Sequence, residues 1–144
     1  MQEWLKEIAE IEGVEGVVVC SNSGKILEKI GLNLAESDLE KIARYTWRLT
    51  TSFLIRDKTV KEIEFIYEEY RVIAMPKREF MVITFCQSIK VVSLVRMTVN
   101  VVVTHLLEDK KFIKSMEKEA VYKTAILKGE NLDPREINLI SKLQ

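Results

Sequence analysis

Three short strand-like runs follow one another between Val60 and Cys86 with very short connections. In the first run, large apolar residues alternate with glutamates from Lys61 to Tyr67, a period of two that predicts a strand with one dry and one wet face. The next two runs, "RVIAMP" and "EFMVITFC", meet at "PKR". Because parallel neighbours need a long crossover, connections this short predict an antiparallel meander.

A helix followed by a hairpin is predicted for the first 31 residues. Trp4, Ile8 and Ile11 recur at the spacing of an apolar helical stripe. Gly13 and Gly16 then interrupt that helix, and "VVVC" and "KILEKIG" read as two strands joined by the turn "SNSG". These two strands bring the predicted total to five.

A second helix is predicted from Ser37 to Ile55. Ser37 stands three residues before Glu40, which is the spacing of a capping box. The helix carries an apolar sector of roughly 160°, widened by Trp47 and Leu54. This width has two interpretations. The helix is either deeply buried in a core, or Trp47 and Leu54 form a flank that meets a second chain.

The most apolar segment runs from Val91 to Leu107 and is predicted to be a third helix, since a strand of that length would be unusual. Arg96 and Asn100 lie at its middle, which argues against a membrane span.

The last 35 residues are predicted to hold further helices. One runs from Lys110 to about Leu127. Another restarts with Asp133 as its cap, Pro134 at the first helical position and Glu136 closing a capping box. Its apolar edge consists of Ile137, Ile140 and Leu143.

Composition and motifs argue against catalysis, cofactors, metals and nucleic acid. Basic and acidic residues both number 22, so no net field attracts nucleic acid or anionic lipid. The lone histidine, His105, has no partner ligands nearby in sequence, and Gly24-Lys25 lacks the glycine and hydroxyl residue of a phosphate-binding loop. Cys20 and Cys86 end apolar strands and are predicted to be buried thiols. The first residues do not have the pattern of a signal peptide, so we expect a cytoplasmic protein. Because no catalytic motif is recognised, we also expect a non-enzymatic one.

Two stretches resemble the roadblock family, named for a dynein light chain and related to longin and profilin-like folds. "LKEIAEIEGVEGVVVCSNSGKILE" resembles the family's opening helix and hairpin, and "RVIAMPKREFMVITFCQSIKVVSLVRMTVNVV" resembles its later strands and long helix. The resemblance implies an α+β fold of order α-β-β-α-β-β-β-α. In it, helices sandwich a five-stranded antiparallel sheet, with residues 1–109 as the domain and residues 110–144 as a C-terminal helical extension.

The resemblance also implies a homodimer, with the strand from Lys61 to Tyr67 pairing edge to edge and two second helices coming together. The implied interface residues are Trp47, Leu54, Ile63, Phe65 and Tyr67. The paired helices would bind a small Ras-like GTPase or its scaffold through outward positions: Glu40, Arg44, Tyr45, Arg48, Thr51 and Ile55.

We therefore expect a non-enzymatic homodimeric adaptor or regulator of a small Ras-like GTPase. The alternative is a small-molecule or signal-sensing module, because profilin-like sheets also host ligand pockets. The sequence does not name the GTPase, the direction of regulation or the place of the C-terminal extension.

Overall fold

A computed structural model describes residues 2–68, 71–87 and 91–119 of the chain. Its elements follow in the order α1 (Gln2–Ala9), β1 (Val14–Ser21), β2 (Ile26–Ile30), α2 (Glu36–Ile55), β3 (Ile63–Ile66), β4 (Arg71–Lys77), β5 (Phe80–Cys86), α3 (Val92–Glu108) and α4 (Lys110–Glu119). The predicted fold class is confirmed. The predicted helix from Asp133 and the end of the helix begun at Lys110 lie outside the described residues.

The five strands form one antiparallel sheet in the order β2-β1-β5-β4-β3. The central strand β5 pairs on both sides, with Ile83 opposite Val18 of β1 and Ala74 of β4. Its seven residues are all buried, which explains why its sequence is nearly continuous in apolar residues rather than alternating. β3 lies at one edge of the sheet and is the shortest strand.

Helices cover the two faces of the sheet unequally. On one face, α1, α3 and α4 pack over alternate residues of the strands, and Leu5, Val99 and Met116 belong to the same buried cluster as Val17 and Phe80. On the other face, the buried cluster includes side chains of α2 alone among the helices, with Leu39 and Ala43 packed against Val18, Val72 and Ile83. Three helices therefore cover one face of the sheet, and among the described helices α2 alone covers the other.

Two glycines form the bends in the chain before and after β1. Gly13 has φ +95, so it adopts the left-handed conformation that turns the chain from α1 into β1. Gly24, with φ +88, closes the turn between β1 and β2. A Cβ placed on Gly24 would lie 2.3 Å from Cγ of Arg44, so the hairpin turn rests directly against α2. The opening helix and hairpin are thereby tied to the helix on the opposite face.

The predicted boundaries differ from the structure in two places. The capping box at Ser37 is wrong, because α2 begins at Glu36 after Ala35 and its cap makes no side-chain hydrogen bond. The first turn instead carries Glu36 and Asp38, whose charges favour a helix N-terminus. The edge strand is also shorter than predicted and covers Ile63–Ile66.

The start of the C-terminal extension packs as part of the main body. Asp109 separates α3 from α4, and its Oδ1 accepts hydrogen bonds from the backbone N–H groups of Lys111 at 3.0 Å and Phe112 at 3.2 Å, which caps α4. The Phe112 ring meets Phe80 edge to face at a centroid distance of 4.9 Å. The division of the chain at residue 109 stays a prediction.

Within the described ranges, α3 and the other helices are too short or too polar to cross a membrane.

Candidate functional site

The buried side of α2 is a stripe that recurs about every four residues. Leu39, Ala43 and Trp47 follow one another at this spacing and pack against the sheet. Because no other helix shares this face among the described residues, the opposite side of α2 is an outer surface of the domain. The wide apolar sector predicted from sequence is therefore largely accounted for by the core.

Trp47, one of the two residues predicted to form a flank that meets a second chain, lies in the core of the described structure, and its role in an interface stays a prediction. Trp47 continues the stripe of Leu39 and Ala43, and only 5% of it is exposed. Its indole lies beside the Cys20 thiol. Burial raises the pKa of the Cys20 thiol to about 12, and the nearby Trp47 indole lowers that pKa by a smaller amount. Leu54, the other predicted flank residue, is half-buried.

The predicted partner-binding strip is mostly on the outer side of α2. Tyr45 and Ile55 are exposed, and Glu40, Arg44 and Arg48 are half-buried. Arg44 forms an ion pair with Glu40 at 3.8 Å, one helical turn away. Thr51 does not belong to this strip, because it lies four residues after Trp47 on the buried stripe and is itself buried.

The edge strand β3 meets α2 on the same face of the sheet. Ile63 and Phe65 are half-buried and pack against the α2 cluster. The Phe65 ring lies 6.4 Å from that of Tyr45, centroid to centroid. Tyr67 continues past the end of the strand and is exposed. The predicted interface residues of β3 are therefore adjacent to the predicted partner strip, with Tyr45 at the junction.

The other face of β3 carries a charged cluster that sequence reasoning missed. Arg96 of α3 donates hydrogen bonds from Nε to both carboxylate oxygens of Glu62, at 2.6 and 2.8 Å, and lies 3.8 Å from Glu64. Arg71 of β4 lies 3.7 Å from Glu64. The sequence did contain a signal for this pairing. Glu62 and Glu64 are negative and alternate with apolar residues, and Arg96 is the one lysine or arginine within α3. The predicted wet face of this strand is thus a salt-bridged one.

A groove of about 1390 Å³ lies beside α2 over the end of the sheet at which β1 and β4 begin and β2, β3 and β5 end. Its apolar lining comes from both layers, and its rim carries charges of both signs from α2. The apolar lining includes Leu32, Ile42, Tyr45, Phe65, Val72 and Phe85, and the rim includes Asp38, Lys41, Arg44 and Arg48. The groove was not predicted, since it depends on the angle between α2 and the sheet rather than on any motif.

The described residues hold no grouping of three or more side chains suited to a metal ion. His105 stacks on Trp4 with ring centroids 4.0 Å apart and an angle of 3° between the planes, which joins α1 to α3. Cys86 is buried, and this burial raises the pKa of its thiol to about 11, with a smaller contribution from Glu64. Neither cysteine resembles an activated nucleophile, which would need a lowered pKa.

The sheet order, the unequal helical cover and the open edge strand belong to a fold that this chain shares with solved roadblock-domain structures. The solved structures that share it include MglB from Myxococcus xanthus, with a TM-score of 0.66, 10% sequence identity, and cover of 79% of this chain and 87% of that one. The roadblock/LC7 domain from Streptomyces avermitilis matches with a TM-score of 0.59 and 13% identity over 74% of this chain and 98% of that one. A further MglB structure, described as having a tetrameric arrangement, matches with a TM-score of 0.61 and 10% identity over 82% and 88% of the two chains.

At these identities the likeness establishes the fold alone. No protein-family model matches the sequence. A search of curated proteins likewise gives no match.

Proposed function

We propose that this chain is a non-enzymatic homodimeric adaptor or regulator that binds a small Ras-like GTPase, or a scaffold of one, through paired α2 helices. The observation that carries the proposal is the arrangement of α2 and β3. One helix alone covers a sheet face, beside a strand at the edge of the sheet. The roadblock fold supplies the expectation that this arrangement pairs with a second copy.

An edge-to-edge dimer would use two features of this face. The outer side of β3 can accept a strand from the partner, because edge strands leave backbone N–H and C=O groups available for pairing. The side of α2 nearest to β3 can lie against the partner's α2, a helix of 20 residues and so about 30 Å long. Tyr67, which is exposed in the monomer, continues the chain past the end of β3, and the role of Leu54 in the interface stays a prediction.

The proposed partner surface is the outer strip of α2. Glu40, Arg44, Tyr45, Arg48 and Ile55 combine charge, an aromatic ring and one exposed aliphatic side chain. Such mixed surfaces suit a reversible contact better than a permanent one, since permanent interfaces are more uniformly apolar.

The dimer is tested by light scattering at tens of micromolar protein. We expect the wild type to have the mass of a dimer and Ile66→Lys to shift it towards a monomer, because a cation on the edge strand opposes strand addition. Met97→Lys is the matched control, since Met97 and Ile66 are each 68% exposed and Met97 lies on α3. A wild type that remains monomeric would remove the main support for the proposal.

Partner binding is tested by immobilising the full chain and capturing proteins from its native cytosol with GDP or with a non-hydrolysable GTP analogue. We expect recovery of a Ras-like GTPase in one nucleotide state. Arg48→Glu should weaken that capture without changing the dimer mass, whereas Lys114→Glu on the exposed side of α4 should not weaken it. Equal loss with both variants would argue against the α2 strip.

The groove favours one second candidate, a small-molecule or signal-sensing module. It combines apolar walls with charged rim residues, as small-molecule sites do. This candidate predicts a co-purifying ligand in native mass spectra of the monomer. An empty monomer would contradict it.

A further inference from the structure

The two faces of the edge strand β3 carry different side chains. On the face of α2, Ile63 and Phe65 are half-buried, and Tyr67, the next residue in this alternation, is 48% exposed. On the face of α3, Glu64 is followed by Ile66, which is 68% exposed. A strand that extends the sheet at β3 must therefore match an apolar row on one face and a mixed row on the other.

We propose that β3 pairs with β3 of a second copy in one register, in which the Phe65 residues of the two chains lie directly opposite each other on the two-fold axis. This proposal rests on the edge-to-edge dimer proposed above and specifies which side chains meet in it. Ile63 of each chain then faces Tyr67 of the other, and Glu64 of each chain faces Ile66 of the other.

Symmetry leaves few registers to choose from. Two identical antiparallel strands are related by a two-fold axis perpendicular to the sheet, which keeps both α2 helices on one face. Residues directly opposite each other point to the same face, so the axis must pass through one residue and its own copy rather than between two residues. β3 has four residues, so this residue is Ile63, Glu64, Phe65 or Ile66.

Charge argues against three of these four registers, because like charges directly opposite each other destabilise a strand pair. An axis through Glu64 places this carboxylate opposite its own copy. An axis through Ile63 opposes Glu62 and Glu64 twice, and an axis through Ile66 opposes Glu64 and Glu68 twice. The remaining register brings Glu62 opposite Glu68, but both lie outside β3, and within β3 it opposes no like charges.

The apolar side chains favour the same register. The two Phe65 rings meet on the face of α2, where the ring of Tyr45 lies 6.4 Å from that of Phe65 and flanks them. Ile63 faces Tyr67, and aromatic residues pair favourably with one another and with β-branched residues across strands. An axis through Glu64 would instead place Tyr67 opposite Lys61.

The charged cluster explains why an apolar residue suits the position opposite Glu64. Glu64 lies 3.7 Å from Arg71 and 3.8 Å from Arg96, and Arg96 also binds Glu62. Two carboxylates and two guanidinium groups balance each other, so the Ile66 side chain of the partner can cover them without leaving one charge unpaired. A third cation at this position would be in excess, which agrees with the loss of dimer expected for Ile66→Lys.

A cysteine scan along β3 determines the register in the full chain. Cys20 and Cys86 are buried, so they do not compete with one introduced cysteine. The four variants are Ile63→Cys, Glu64→Cys, Phe65→Cys and Ile66→Cys. In the proposed register the Cα atoms of position 65 lie about 4.5–5.5 Å apart, which a disulfide can span. Positions 64 and 66 are diagonal to their own copies at about 7–8 Å, which is too far.

We expect Phe65→Cys to form cross-linked dimers at least about tenfold faster than the other three variants under mild copper–phenanthroline oxidation, followed on non-reducing gels. Light scattering of the reduced samples gives the mass before oxidation. Faster cross-linking at another position would overturn the register and leave the proposed dimer intact. A dimer mass without cross-links at any of the four positions would overturn the pairing of the β3 edges. A monomeric wild type would overturn both proposals.

A second measurement keeps Phe65 in place. Ile63→Cys and Tyr67→Cys are produced separately and also co-expressed, so that mixed dimers form. We expect a rapid cross-link in the co-expressed sample alone, because Ile63 of one chain faces Tyr67 of the other. Equal cross-linking of either variant by itself, or none in a co-expressed sample with the mass of a dimer, would contradict the register.

Discussion

The contact between Gly24 and Arg44 allows a prediction whose size follows from the structure. Gly24→Ala places a Cβ at φ +88, where an L residue costs about 1–2 kcal/mol. That Cβ would also lie 2.3 Å from Cγ of Arg44, and overpacking of this kind costs about 1–3 kcal/mol. The free energy of unfolding should therefore fall by about 2–5 kcal/mol.

Arg44→Ala separates the two contributions. Alone it should cost at most about 1 kcal/mol, because its ion pair with Glu40 is 3.8 Å long and both side chains are more than a third exposed. In the double variant Gly24→Ala/Arg44→Ala the steric conflict disappears and the backbone cost remains. The loss of unfolding free energy in the double variant should therefore be smaller than the sum of the losses in the two single variants, by about 1–3 kcal/mol.

Urea denaturation followed by the fluorescence of Trp4 and Trp47 measures these free energies, at one protomer concentration so that self-association does not change the comparison. Gly31→Ala is the control: its φ is +82 and its added Cβ would lie 2.6 Å from the backbone oxygen of Glu15, which Arg44→Ala cannot relieve. Additive losses for Gly24→Ala and Arg44→Ala would refute the inference that Arg44 is the obstacle.

Three further predictions concern the core and the edge strand. Trp47→Ala should lower the free energy of unfolding by about 3–5 kcal/mol in urea titrations, and a loss below about 1 kcal/mol would contradict its core position. Arg96→Gln should cost no more than about 1 kcal/mol despite its short hydrogen bonds to Glu62, because its side chain is substantially exposed; thermal unfolding checks this. Burial raises the pKa of Cys20 from 9.0 to about 12, so the folded state holds the thiol proton more strongly than the unfolded state does. The contribution of Cys20 to the free energy of unfolding should therefore be fully present below pH 9 and should decline as pH rises towards 12. Unfolding titrations of Cys20→Ala should show a smaller alkaline decline than the wild type, and equal declines would contradict this assignment.

Periodicity predicted the architecture because each element buries one clearly patterned face. The alternation around Ile63 and Phe65, the continuous apolar run of β5 and the spacing of Leu39 and Ala43 each correspond to an observed element. The start of α2 could not be predicted as well. The helix begins after Ala35, whose side chain cannot cap it, so its start depends on where the loop from β2 ends rather than on a capping residue.

The candidate site was predicted less completely, since periodicity does not say which edge of an apolar sector faces the sheet. Trp47 and Thr51 lie four residues apart and both belong to the buried stripe, although a helical wheel alone allowed either to face outwards. Arg96 was recognised only as a polar residue within an apolar helix. Its pairing with Glu62 depends on α3 crossing the sheet near β3, which no local pattern in the sequence specifies.

The charged cluster on β3 also bears on how this chain avoids unwanted association. An unpaired strand at the edge of a sheet is a template for any extended polypeptide, including misfolded neighbours and chains still being synthesised. Here the edge is only four residues long, and Glu62 and Glu64 beside it are held by Arg96 and Arg71 of the same molecule. An apolar strand added at random would desolvate these carboxylates, whereas a partner of matching shape and polarity need not. The same cluster that stabilises the edge can thus restrict which strands are able to extend the sheet.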